Sequence, residues 1–233
     1  MAEPPSNGTY DLDDLTVVMG TYNEAAAIGR VLEDVDAATD GRASVVCVDS
    51  STDGTARIAR EHGAYVVEQP PMGYGVALLA GLETADRPVV VTTDCDDTYP
   101  MERIPDFLDA INAGHDVVSG DRLTRGAATM PPVNRLGNRL FAGLASLLCA
   151  RRIRDTTTGM RAYRKEVIEA IEWTENTGLS AELLLRPLLR GYDVVELPID
   201  YRERAGETTL DPLAGGLAIG RSIVTVCLEE RLR

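Results

Sequence analysis

An α/β architecture with a mostly parallel central sheet is what this sequence predicts. Three observations carry the prediction. Short runs of β-branched residues alternate with longer segments whose apolar residues recur at helical spacing. The short runs end in acidic or turn-forming residues, as buried strands do where they leave a core. The alternation repeats several times, which implies right-handed crossovers between parallel strands.

The elements follow in order. Residues 1–14 are polar and acidic and read as a flexible lead-in, without the apolar stretch of a signal peptide; 15–233 reads as one domain. Leu15-Thr16-Val17-Val18-Met19 is a strand, and the turn Gly20 to Glu24 leads into a helix over about 25–39, marked by Ile28, Val31, Leu32 and Val35. Val45 to Val48 is a second strand, followed by the turn Asp49 to Thr55 and a helix to about His62. Tyr65-Val66-Val67 is a third strand, and Gly73-Tyr74-Gly75 opens the next helix. Val89 to Thr93 is a fourth strand. The second half is less regular. Strands are expected at 116–120 and 194–198, and helices at 135–150, 179–190 and 211–228. The helices 135–150 and 211–228 read as core-packing, with a membrane interface as the other option. No stretch reaches the roughly 20 apolar residues of a spanning helix.

Composition narrows the function. The 233 residues carry a formal net charge of −14, and Lys165 is the single lysine, so 22 of the 23 basic residues are arginine. Such acidity keeps a protein soluble by self-repulsion and fits a high-salt cytosol. It argues against a nucleic-acid partner, which needs basic patches. Cys47, Cys95, Cys149 and Cys227 lack metal spacing and read as reduced residues of an intracellular protein. His62 and His115 are far from every motif and read as structural or exposed.

The acids at the strand ends carry the chemistry. Asp94 and Asp96 follow the apolar run 89–93. Carboxylates where a core strand ends are hydrogen-bonded or hold a cation, because unpaired buried charge is costly. Oxygen ligands of this kind suit Mg²⁺ or Mn²⁺, with phosphate oxygens completing the shell. An acidic loop beside a strand end is the plainer reading. Asn23, Asp49 and Asp94 all fall beyond strand carboxyl ends, where functional groups of parallel sheets gather.

The ordered set of motifs resembles glycosyltransferase family 2, and within it the dolichyl- and polyprenyl-phosphate sugar synthases. The resemblance rests on Thr21-Tyr22-Asn23-Glu24, on Val48 to Thr55, and on Asp94-Cys95-Asp96. It continues through Ser119-Gly120-Asp121-Arg122, Asp155 to Tyr163 and Arg204 to Thr208, covering roughly 16–210. It implies a Rossmann-like GT-A fold and an inverting, metal-dependent transfer of a hexose from a GDP- or UDP-sugar to a polyprenyl (dolichyl) phosphate. In such enzymes Thr21, Tyr22, Asn23, Glu24 and Asp49 contact the nucleoside, and Asp94 and Asp96 hold the Mg²⁺ or Mn²⁺ that bridges the diphosphate. Arg122, Arg135 and Arg204 then face the acceptor phosphate and the donor diphosphate; Asp96, Arg122 and Arg204 form the catalytic set. A polyprenyl product would place the enzyme at the cytosolic face of the cell membrane, as a peripheral protein.

Plainer roles remain open for each. Asn23 and Glu24 also suit helix capping, and the arginines, Arg139 included, suit ion pairs. Asp53 reads as a turn former, Thr98 as a further metal oxygen, and Glu182 as either a substrate orienter or half of a structural ion pair. Other functions stay in view: a family 2 enzyme with a non-lipid acceptor, or a nucleotide-sugar-binding module without turnover. A dehalogenase-type phosphatase is disfavoured because two strand–helix units precede Asp94. A nucleotidyltransferase is disfavoured because Tyr22-Asn23-Glu24 replaces its glycine-rich loop.

Overall fold

The computed structural model describes residues 9–204 and 212–233. Residues 1–8 of the expected lead-in lie outside the described residues. So do 205–208 of the Arg204 segment and Asp211 at the expected start of the last helix.

One seven-stranded sheet organises the chain. Its strands are β1 (Leu15–Thr21), β2 (Ser44–Asp49), β3 (Tyr65–Glu68), β4 (Val89–Thr92), β5 (Val117–Asp121), β6 (Arg161–Arg164) and β7 (Val194–Pro198). Their order is β3-β2-β1-β4-β6-β5-β7. All neighbours are parallel except β6, which runs antiparallel to both β4 and β5. The central strands β1 and β4 are mostly apolar and buried almost end to end, as strands covered on both faces are.

Side-chain alternation sorts the core into two layers. Leu15, Val17, Met19, Val89 and Val91 point to one face, where α1 (Ile28–Ala38), α2 (Thr55–Glu61) and α4 (Ile104–Asn112) cover them. Val18, Val46, Val48 and Val90 point to the other. There α3 (Tyr74–Thr84), α6 (Pro132–Cys149), α8 (Leu179–Leu189) and α9 (Pro212–Leu232) pack. A Cβ on Gly81 would come within 2.4 Å of Val18 Cγ1, so glycine there lets α3 lie directly on β1. Two short helices, α5 (Arg122–Arg125) and α7 (Lys165–Glu169), follow β5 and β6.

Several boundaries differ from the sequence reading, each for a local reason. Residues 10–14 are docked rather than free. Tyr10 exchanges backbone hydrogen bonds with the Asn112 side chain, Asp11 caps a short 3-10 turn, and Arg42 pairs with Asp11 and Asp13. Helix α1 begins at Ile28 rather than near 25. The amides of Glu24 and Ala25 are held by Thr55 Oγ1 and Asp53 Oδ2 of the neighbouring loop, which fixes a turn in place of a first helical turn. Helix α6 starts three residues early because Pro132 suits its first turn, and it stops at Ala150, whose φ is +50°. The core-packing reading of α6 holds for one side only: Ala142 and Ala145 are buried, while Leu136, Leu140 and Leu147 are exposed.

Candidate active site

The sheet order places the tips of β2, β1 and β4 side by side. In the β1–β2 register Thr21 is paired with Asp49, so its hydroxyl donates to Asp49 Oδ1 at 2.6 Å. Ser51 closes the other side, donating from Oγ to Oδ1 at 2.6 Å and from its amide to Oδ2 at 3.0 Å. Asp49 is therefore buried and rigid, with acceptor capacity left on Oδ2. Asn23 sits in the left-handed region at φ +57°, a conformation asparagine tolerates. Its amide donates to Ser51 Oγ and its Oδ1 accepts from the Thr52 amide. Asn23 thus clasps the β1 and β2 loops together, and Tyr22 beside it is exposed.

The acids after β4 share this space with Glu24. Arg204 bridges them: its Nη1 donates to Asp96 Oδ2 at 2.6 Å and its Nη2 to Glu24 Oε1. Asp96 Oδ1 accepts from the Thr98 hydroxyl and amide, so Thr98 shapes the acid rather than extending a ligand set. Among the described residues the Asp94 carboxylate accepts one hydrogen bond, from the Tyr74 hydroxyl at 3.4 Å. Burial pushes Asp94 up to about 6; the Asp96 charge adds to this, and Arg122 and Arg204 oppose it. Burial likewise pushes Glu24 up to about 7, opposed by Arg204 and reinforced by Asp96, Asp94 and Asp53. Glu24, Asp94, Asp96 and Arg204 form one electrostatic neighbourhood. It is overstocked with negative charge, and Arg204 is the cation that partly offsets it.

Asp94 leans on a loop that the sequence reading quoted without assigning roles. A Cβ on Gly159 would lie within 2.6 Å of Asp94 Oδ2. The Gly159 peptide is held at both ends: its amide donates to Tyr99 Oη at 2.6 Å, and its carbonyl accepts from Thr92 Oγ1 at 2.8 Å.

Arg122 is not an open phosphate fork. Its Nε and Nη2 donate to the two oxygens of Asp155 at 2.7 and 2.9 Å, and it also reaches Thr157 Oγ1 and Tyr99 Oη. The guanidinium lies 5.9 and 5.4 Å from the Tyr99 and Tyr201 ring centres. Burial alone would raise Asp155, but Arg122 overrides it and holds the carboxyl below its ordinary range. Fully desolvated, this pair fixes the 155–159 loop against Asp94. Arg135 sits on the first turn of α6 and donates to the Ala127 carbonyl at 3.3 Å; one turn on, Asn138 accepts from Thr157 Oγ1.

Other candidates fall away from the cleft. Asp53 caps Thr55 and Ala25, as a turn former does. Asp97 is buried and paired with Arg30 at 2.6 Å. Glu182 is wholly buried with Arg186 and is structural. His62 bonds the Ile58 carbonyl and His115 bonds Asp193. Tyr74, Tyr99, Asp155 and Gly159 are the site residues the sequence reading missed; the motif at 155–163 signals Asp155 and Gly159, while Tyr74 and Tyr99 carry no signal of their own.

Among the described residues no three His, Cys, Asp or Glu side chains converge on one point. The fit to a divalent ion therefore rests on Asp94 and Asp96. Asp94 is sparsely bonded, and Asp96 already neutralises a cation in Arg204. Two carboxylates with the shell completed by substrate oxygens suit Mg²⁺ or Mn²⁺.

Comparison with known proteins gives the chain its family and fold. The dolichyl-phosphate hexose transferase of Haloferax volcanii is 69% identical over 224 residues, which is 96% of this chain and 98% of that protein. The polyprenol monophosphomannose synthase of Mycolicibacterium smegmatis is 32% identical over 204 residues, covering 81% and 77%. The glucosyl-3-phosphoglycerate synthase of Mycobacterium tuberculosis was solved in complex with Mn²⁺, UDP and phosphoglyceric acid. It superposes with a TM-score of 0.69 at 23% identity, over 93% of this chain and 79% of that one. The mannosyl-3-phosphoglycerate synthase of Rubrobacter xylanophilus gives 0.71 at 19%, over 94% and 75%. Those two likenesses establish the GT-A fold. The glycosyl transferase family 2 model matches residues 16–172, and the chain belongs to that family.

Proposed function

We propose that this glycosyltransferase moves a hexose from a GDP- or UDP-sugar to the phosphate of a polyprenyl (dolichyl) phosphate, with inversion at the anomeric carbon. The observation that supports it best is the cleft itself: the Glu24 turn and the Asp94–Asp96 pair form one charged neighbourhood, while both histidines are bonded elsewhere. An acceptor that brings its own charge needs no histidine base, and a phosphate monoester is mostly ionised at neutral pH, its second pKa being about 6. The close likeness to a dolichyl-phosphate hexose transferase points to the same acceptor.

The chain's residues divide the work. Asp49 Oδ2 accepts from the nucleoside, and Thr21, Tyr22, Asn23 and Glu24 form the turn beneath it. Asp94 and Asp96 hold Mg²⁺ or Mn²⁺, which supplies charge neutralisation for the leaving diphosphate. Arg204, at the cleft mouth, exchanges Asp96 and Glu24 for phosphate oxygens when donor binds. Arg122 acts through Asp155 and Thr157, keeping the loop beside Asp94 in place, and Arg135 lies on the acceptor side. Rate then comes from alignment and charge stabilisation.

A screen of radiolabelled nucleotide-sugars against polyprenyl phosphate, with and without EDTA, tests the reading. Label extracted into organic solvent, and lost with EDTA, is expected. Label that stays in the aqueous phase with every donor would refute the lipid acceptor. Asp96→Ala is expected to abolish transfer with the circular dichroism spectrum unchanged; full activity of that variant would remove the metal role.

A further inference from the structure

Helix α6 carries Val133, Leu136, Leu140 and Leu147, each 61–78% exposed and all within one helical stripe. Helix α9 carries a second stripe, Leu217, Val224, Leu228 and Leu232. The two helices run parallel, with Phe141 against Gly216 and Gly220 and Cys149 beside Cys227. Helical periodicity puts both stripes on the same side of the pair. A monomer rarely leaves so many large apolar side chains side by side in water.

Charge is equally one-sided. Residues 122–154 hold seven arginines and no acid, in a chain of net charge −14. On α9 the acids Glu229 and Glu230 are paired with Arg186 and Arg190, the Glu230 side chain buried and that of Glu229 half-exposed, while Arg221 stays exposed among the apolar residues. Beside α6 a groove of about 350 Å³ is lined by Arg139, Arg152 and Arg154.

We propose that the paired outer faces of α6 and α9 dock on an anionic lipid bilayer, the leucines entering the headgroup boundary and the arginines meeting lipid phosphates. A second copy of the chain fits worse, because a two-fold contact would set one arginine-rich face against another. No helix among the described residues is long and apolar enough to cross a membrane, so the surface lies on the bilayer. Asn138, on the same helix, bonds Thr157 beside Arg122, so docking brings the acceptor side of the cleft to the lipid phase. The inference rests on the proposed lipid acceptor for its purpose, but its test needs no donor, acceptor or turnover.

The experiment is flotation of the full chain with phosphatidylglycerol or phosphatidylcholine vesicles across a KCl series. Wild type is expected to prefer phosphatidylglycerol at the lowest KCl that keeps its native spectrum, the preference fading as salt screens it. The combined Leu136→Glu, Leu140→Glu and Leu147→Glu variant is expected to bind at least about tenfold more weakly. It should keep activity on a short, water-soluble isoprenyl phosphate and lose it on vesicle-embedded acceptor. Arg152→Glu is expected to reduce the phosphatidylglycerol preference. Leu147→Gln alone gives the same direction in flotation if the triple variant misfolds. Unchanged flotation of the leucine variants, or equal binding to both lipids at every salt, overturns the proposal. So does a wild-type dimer in light scattering that the leucine changes abolish. Flotation without lipid-linked product would instead refute the proposed acceptor alone.

Discussion

At the scale of single residues, the contact between Gly159 and Asp94 governs how the acid pair is presented. The Gly159 peptide is pinned by Tyr99 and Thr92, so it cannot retreat from an added methyl group. Gly159→Ala is expected to push the Asp94 carboxylate aside and lower kcat/KM by about 10²-fold, a loss comparable to other small displacements at reacting centres. Thermal unfolding alongside steady-state kinetics checks it; an active, equally stable variant would show that Asp94 can move freely. Protonation offers a second test. Asp94 and Glu24 have folded values of about 6 and about 7, above their ordinary 3.8 and 4.5. A raised carboxyl stabilises the fold below its unfolded pKa and loses that contribution as pH climbs through the folded one. The metal-free protein should therefore lose stability between about pH 4 and 7 through these two groups. Under the proposed metal role protons would compete with the ion for Asp94, so Mn²⁺ should raise Tm more at about pH 8 than at about pH 5. An equal rise at both pH values, or the same difference in Asp94→Asn, would contradict this.

At the scale of elements, α8 shows how charge is used for structure. Glu182 accepts from Arg186 at 2.6 Å and from the amides of Thr174 and Glu175. Arg186 also reaches Glu229 and Glu230, which ties α8 to α9. Glu182→Ala should cost about 1–3 kcal/mol, because Arg186 keeps Glu229, Glu230 and Thr174 while two amides lose their acceptor. Activity per folded molecule should be unchanged; a specific loss of kcat would return Glu182 to the substrate. The elements that the sequence made legible share one property: their apolar residues recur at a spacing contained within the element itself. Thus β1, β2 and β4 are legible in their β-branched runs, and α1 in Ile28, Val31, Leu32 and Val35 apart from its starting point. The antiparallel β6 did not, since Arg161 and Arg164 break its apolar pattern and their partners, Ser119 and the His115 carbonyl, are distant in sequence. Helix α4 was legible in Ile104, Phe107, Leu108 and Ile111 yet went unread among the acids around it. The site divided the same way. Acids at strand tips follow from local pattern, whereas the Arg122–Asp155 pair depends on chain segments 33 residues apart meeting in the core.

At the scale of the molecule, the net charge of −14 sets conditions for stability. Several ion pairs on the surface, such as Arg57–Glu61 and Arg42–Asp13, offset little of it, since solvent screens exposed pairs. Unfolding midpoints should rise as KCl increases toward molar concentration, where self-repulsion is screened to about 3 Å. A midpoint that is flat or falling with KCl would separate this protein from halophilic behaviour.

The reversed direction of β6 has a further consequence. A parallel strand delivers its following loop to the cleft, whereas β6 delivers the loop that precedes it. The stretch between β5 and β6 therefore leaves the cleft rim after Asp121 and returns to it at Asp155, anchored at both ends by the Arg122–Asp155 pair. What lies between those anchors can change in length without moving the tips of β1, β2 and β4, and under the proposed function that exchangeable stretch would be the one that meets the acceptor.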